Sequence, residues 1–115
     1  MPAPLPASTT IGKRLRKARL AKEWTLAYLG ELLGMGEPNT AAPRLSRYER
    51  GLSEPSLEVV RELAKALDLP EAYFFAASDV LAEAILVIAS LPAKKQTKAL
   101  ELLKSFASGT ASQAD

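Results

Sequence analysis

A chain of 115 residues, 48% apolar and 24% charged, has room for one domain with a real core and too little for two ordinary ones. It contains no cysteine and no histidine, which excludes a disulfide scaffold, thiolate and imidazole metal sites, and the Ser-His-Asp and Cys-His catalytic arrangements. The net charge of +2 hides an asymmetry: residues 1–50 carry nine Lys+Arg against four Asp+Glu, and residues 51–115 carry six against nine. A positive front half on a negative body points to a polyanion-binding head with something else behind it.

The opening, MPAPLPASTT, combines three prolines with small residues and reads as a disordered arm over residues 1–8. It lacks the basic and apolar regions of a secretory signal, so a cytoplasmic location is expected. A first helix is expected from Ile11 to about Lys22, capped by Thr9 or Thr10. Ile11, Leu15 and Ala18 form its apolar stripe, and no acid interrupts the basic residues around it. A second helix follows Thr25, a suitable N-cap, with Leu26, Leu29, Leu32 and Leu33 on its apolar face, and stops at Gly34. Gly30 inside it costs about 1 kcal/mol against alanine, which suggests that another backbone approaches there.

After the loop-like GMGEPNTAAP, a third helix is expected from about Ala41 to Arg50, with Asn39 or Thr40 as its cap and Pro43 in its first turn. Arg44, Arg47 and Arg50 recur every third residue, so they line one side of this helix. Such a row suits a major groove, where arginine pairs with guanine edges or phosphates; it also suits a solvated charged face. Gly51 ends the helix. Ser56 caps a fourth helix whose buried side is Leu57, Val60, Leu63, Ala64 and Leu67, and a short fifth covers Glu71–Phe75, with Tyr73, Phe74 and Phe75 as core anchors. The sequence holds no convincing strand or repeat, so the fold class is all-α, a compact orthogonal bundle.

IGKRLRKARLAKEWTLAYLGELLGM followed by RLSRYERGLSEPSLEVVRELAKALDLP resembles the lambda-repressor-like helix-turn-helix family, the Cro and phage-repressor type. The similarity covers residues 11 to about 76. It implies a five-helix DNA-binding domain whose second helix lies across the DNA backbone, with Thr25 and the amide of Leu26 facing a phosphate. It implies a third helix in the major groove, with Asn39 and Thr40 near its start and Arg44 and Arg47 at base edges. Ser46, Tyr48 and Arg50 fall where phosphate or sugar contacts occur; core packing explains Tyr48 equally well. Arg19 and Glu49 match the family's buried ion pair, the alternative being two surface charges.

Three departures stand out. The turn before the third helix is lengthened by EPNTAAP, as in a branch of the family with an extended turn, and Ala42 and Pro43 stand where polar readers are common. Leu26 replaces a frequent phosphate-binding glutamine. Gly30 replaces a common alanine.

SDVLAEAILVIASL is apolar nearly all round, and AKKQTKALELLKSF carries Ala99, Leu102, Leu103 and Phe106 on one stripe. The first run is broken by Glu83 and is too short to cross a bilayer. The pair reads as a helical hairpin over residues 78–107, behind a DNA-binding domain at 9–77 and ahead of a disordered tail at 108–115. Leu81, Ile85, Ile88, Leu103 and Phe106 are expected to form a homodimer interface; a hairpin folded back on its own domain is the alternative. The expected function is a double-stranded DNA-binding transcriptional regulator, a repressor acting as a homodimer, with no catalysis, metal or cofactor. An antitoxin whose hairpin holds a toxin protein, or an adaptor on the same scaffold, are the other readings.

Overall fold

The structure, a computed structural model, describes residues 9–36 and 38–109, with only the backbone of Pro38. The expected N-terminal arm and all but the first two residues of the expected tail lie outside the described residues. In order come α1 (Thr10–Ala21), α2 (Leu26–Leu32), α3 (Pro38–Glu49), α4 (Leu57–Leu67), a 3-10 helix (Glu71–Phe75), α5 (Asp79–Ala89) and α6 (Ala93–Ala107). The described residues are all-α.

Helix starts follow side-chain chemistry. The amides of Gly12, Tyr28, Val59 and Leu81 donate to the side-chain oxygens of Thr9, Thr25, Ser56 and Ser78, at 3.0, 3.0, 3.2 and 3.0 Å. Each cap satisfies a donor that has no partner inside its helix, worth about 1 kcal/mol. Helix ends share one device. At the end of α3, Gly51 takes φ 73°, its amide donates to the Tyr48 carbonyl and that of Leu52 to the Arg47 carbonyl. This is the paired closure of a left-handed cap. The same two-bond pattern closes α1 and α4, but there the left-handed residues are Glu23 and Asp68, which are not glycine.

The core takes one leucine or more from each of the first four helices. Leu15, Leu29, Leu45, Leu63, Leu67 and Phe74 are completely buried, each contributing about 1.5–3 kcal/mol of apolar transfer. The close approach at Gly30 is to α3: a Cβ there would lie 2.5 Å from the Cβ of Ala41. Gly12 is as tightly placed, with the Tyr48 and Glu49 carbonyls 2.6 Å from where its Cβ would be. These two glycines let α2 and α1 close onto opposite ends of α3.

Three expectations are corrected. First, α3 begins at Pro38, so Asn39 and Thr40 lie in its first turn and do not cap it. The lengthened turn is therefore a longer helix: Pro38 suits a helix start, and Pro43 stands inside it and not in its first turn, where it forgoes the amide bond to the Asn39 carbonyl and crowds that carbonyl. Second, Phe75 is 51% exposed while Tyr73 and Phe74 are buried. The segment is a 3-10 helix, whose three residues per turn send consecutive side chains in three directions. Third, Leu57, expected on the buried side of α4, is 53% exposed: it is the first residue of that helix, one turn short of Val60, where the helix meets the core. Ile85 and Leu86 are partly buried against the core, as α5 docks on the 3-10 helix through buried Ala82.

α6 differs. No residue of α6 is buried, and Leu100, Leu102, Leu103 and Phe106 are half exposed or more. Gln96 Nε2 donates to the Ile88 carbonyl at 3.0 Å and ties the start of α6 to the end of α5. Val80, Leu81 and Val87 of α5 are also exposed, and Ile88 is half-buried. Among the described residues no helix is long and apolar enough to cross a membrane.

Candidate nucleic-acid interface

α3 has two contrasting faces. Ala41, Leu45, Tyr48 and Glu49 are buried, and Asn39, Thr40, Pro43, Arg44 and Arg47 are exposed. The exposed set recurs at three- and four-residue steps, so it forms one outward surface. Arg50 extends this row and is half-buried; Ser46 is half-buried on the flank. The extra turn at the helix start puts Asn39, Thr40 and Pro43 on the same surface as the arginines.

What holds this surface is an ion pair behind it. Arg19 Nε donates to Glu49 Oε2 at 2.6 Å and its Nη2 to Oε1 at 3.0 Å, a two-pronged match of guanidinium to carboxylate. Its Nη1 donates to the Trp24 carbonyl at 2.7 Å, so the same side chain also pins the turn into α2. Arg16 adds a longer contact to Glu49 at 3.5 Å. The Arg19 and Glu49 side chains are 13% and 3% exposed. α1, α2 and α3 are thus joined at one buried point, and the orientation of α3 follows from it.

The two central arginines differ in their surroundings. Arg44 Nε donates to the Tyr48 hydroxyl at 3.0 Å. Its guanidinium carbon is 5.9 Å from the ring centre, at the outer limit of a cation–π contact. Arg47 has no hydrogen bond or ion pair among the described residues. Tyr48 itself is a core residue, 6% exposed, so only its hydroxyl reaches the α3 surface. On α2, the Thr25 side chain is exposed and accepts from the Tyr28 amide, leaving its own hydroxyl proton available. The Leu26 side chain packs against the core, so any polar contact at that position comes from its backbone.

A third arginine of α1, Arg14, is not singled out by the sequence. Arg14 is 1% exposed; its Nη1 donates to Asp79 Oδ1 at 2.6 Å and its Nη2 to the Ala76 carbonyl at 3.0 Å. Its Nε is buried without a partner among the described residues. Lys13 Nζ also reaches Asp79 Oδ1, at 3.0 Å. The hydrogen bond from Arg14, followed by that from Lys13, lowers the Asp79 carboxyl from its ordinary 3.8 to about 2. Burial raises the nearby Tyr73 phenol, partly opposed by Arg14. The joint ties α1 to the first turn of α5. Its only sequence signal is that Arg14 stands one turn before Ala18, at the margin of the apolar stripe. The partner 65 residues away is not readable from that.

Comparison with known proteins agrees with this geometry. A crystal structure of the transcriptional regulator BswR superposes with a TM-score of 0.77 at 31% identity, over 86% of this chain and 97% of that one. A search of curated proteins found no match. The helix-turn-helix family matches residues 15–74, the span from the middle of α1 through the 3-10 helix. On the α2–α3 arrangement, the match over half its length and the BswR likeness, the chain belongs to the lambda-repressor-like helix-turn-helix family of DNA-binding transcription regulators.

Proposed function

We propose that the chain is a homodimeric, sequence-specific repressor that places the exposed face of α3 in the major groove of duplex DNA. The observation that carries this is the pairing on α3 of an outward row containing Arg44 and Arg47 with an inward face locked by Glu49 and Leu45. Arg44 and Arg47 read base edges; Arg50, Ser46, Asn39 and Thr40 flank them and serve the sugar-phosphate backbone. The Thr25 hydroxyl and the Leu26 amide take a phosphate where α2 begins. BswR is a transcriptional regulator, and occupancy of a promoter by such a domain is enough to repress.

The second copy is held through α5 and α6, whose Leu81, Leu103 and Phe106 remain exposed on a single chain. A dimer on twofold DNA spaces its half-sites about 34 Å apart on one face of the duplex. The same apolar surface is the specific observation in favour of the antitoxin reading, in which a foreign protein covers the hairpin. Co-purification of a second chain separates the two. Selection of bound fragments from random duplexes tests the DNA assignment: a palindromic consensus is expected. Arg47→Ala should then cost about 1–3 kcal/mol on that consensus and flatten the preference at one base pair per half-site. An equal loss on random DNA makes Arg47 a phosphate clamp.

A further inference from the structure

On the exposed face of α3, Arg44 is held by a core side chain. Tyr48 follows it by one helical turn and belongs to the buried core, 6% exposed. The ring cannot shift without disturbing that packing, so its hydroxyl is a fixed acceptor at the edge of the DNA-facing surface. It receives Arg44 Nε at 3.0 Å. A long exposed arginine otherwise samples many rotamers, and each hydrogen bond it makes to DNA has to overcome that freedom.

We propose that Tyr48 is the positioning residue for Arg44, holding Nε so that the two terminal nitrogens meet one guanine end-on. The inference rests on the reading of α3 as the DNA-reading helix. A guanidinium can meet the O6 and N7 of guanine with Nε and one Nη, or with both Nη groups. The tyrosine occupies Nε, which leaves the second mode. Arg47 has no comparable anchor among the described residues and adapts to whatever the groove presents. Discrimination at the Arg44 position therefore depends on an atom that touches no base.

Tyr48→Phe tests this in the full-length protein. The change removes one oxygen at the edge of the surface and leaves the ring in the core, and an unchanged melting temperature checks the fold. The probes are the duplex consensus selected by the wild type, a random duplex, and the consensus carrying 7-deazaguanine, which lacks the N7 acceptor, at each guanine in turn. The expected result is a loss of about tenfold on the consensus with no loss on random duplex. One guanine per half-site should become insensitive to the 7-deaza substitution. Arg44→Ala should lose recognition at that same guanine, and adding Tyr48→Phe to it should cost nothing more.

Two results overturn the positioning role while leaving the reading of α3 intact. An equal loss on both duplexes makes the Tyr48 hydroxyl a phosphate donor. Additive effects of the two substitutions make it independent of Arg44. If no duplex is selected, or Arg44→Ala binds the consensus normally, the parent reading of Arg44 fails and the positioning role fails with it.

Discussion

α4 and α6 carry the same kind of apolar stripe and meet different fates. In α4, Val60, Leu63, Ala64 and Leu67 are all buried under the neighbouring helices. In α6, Leu102, Leu103 and Phe106 repeat as regularly, yet no residue of the helix is buried. Periodicity says that a face is to be covered; it does not say by what. Around α4 the chain supplies its own cover, because Leu15, Leu29, Leu45 and Phe74 converge on it. Around α6 the described residues supply the α5 side and leave the rest of the stripe exposed. The front of the molecule covers its apolar stripes within one chain, and the back leaves an apolar surface exposed.

The contrast breaks most sharply at Glu49. Removing this carboxylate leaves Arg19 largely buried and uncompensated, so Glu49→Ala should cost about 3–5 kcal/mol in urea unfolding. Arg19→Met combined with Glu49→Leu should cost clearly less than the two single changes together. Small additive effects would mean that the pair is effectively solvated.

Arg14 joins the two regions and sharpens the comparison. It is as buried as Glu49, but its partner Asp79 has a side chain 56% exposed. Losing Arg14 therefore strands no buried charge. Arg14→Ala should cost about 2–3 kcal/mol, mostly from the cavity left by its stem. Arg14→Met, which fills the space and removes the unpartnered Nε, should stay within about 1 kcal/mol of the wild type. Equal losses for both would show that the hydrogen bonds to Asp79 and Ala76 outweigh packing.

A smaller, pH-dependent effect is expected at the other end of that joint. The Asp79 carboxyl is lowered from 3.8 to about 2 in the folded chain. The unfolded chain thus takes up its proton first as pH falls. The stability that Asp79 contributes is complete well above pH 3.8 and disappears as pH drops through about 2. Asp79→Asn should flatten the acid limb of the stability curve in that window and change nothing in its shape near neutrality. An unaltered limb would mean that the exposed carboxylate is screened by solvent.

The fold was largely legible because its signals are local. Thr25, Ser56 and Gly51 announce helix ends, and the stripes of α1, α2 and α4 announce the core apart from Leu32 and Leu57, which are exposed. The length of α3 was not, since a proline-rich run with Asn39 and Thr40 reads as a turn until the tertiary approach of Ala41 to Gly30 of α2 outweighs propensity. The left-handed caps at Glu23 and Asp68 were also hidden, because neither residue type demands that conformation. At the candidate interface, the arginine row was visible as a spacing. The Arg44–Tyr48 contact was not, because a tyrosine in such a row reads equally as core or as surface until its burial is known. The Arg14–Asp79 joint depends on two distant segments that no local pattern relates.

The division of the molecule into a self-contained head and an incomplete α5–α6 surface is tested most directly by sedimentation equilibrium of the full chain. The comparison is with Leu103→Lys combined with Phe106→Lys, at two exposed positions of α6. The wild type should sediment as a dimer at micromolar concentration, and the variant as a monomer with unchanged helical content and melting of the head. A variant that remains a dimer would move the interface into the head and contradict the role given to α6.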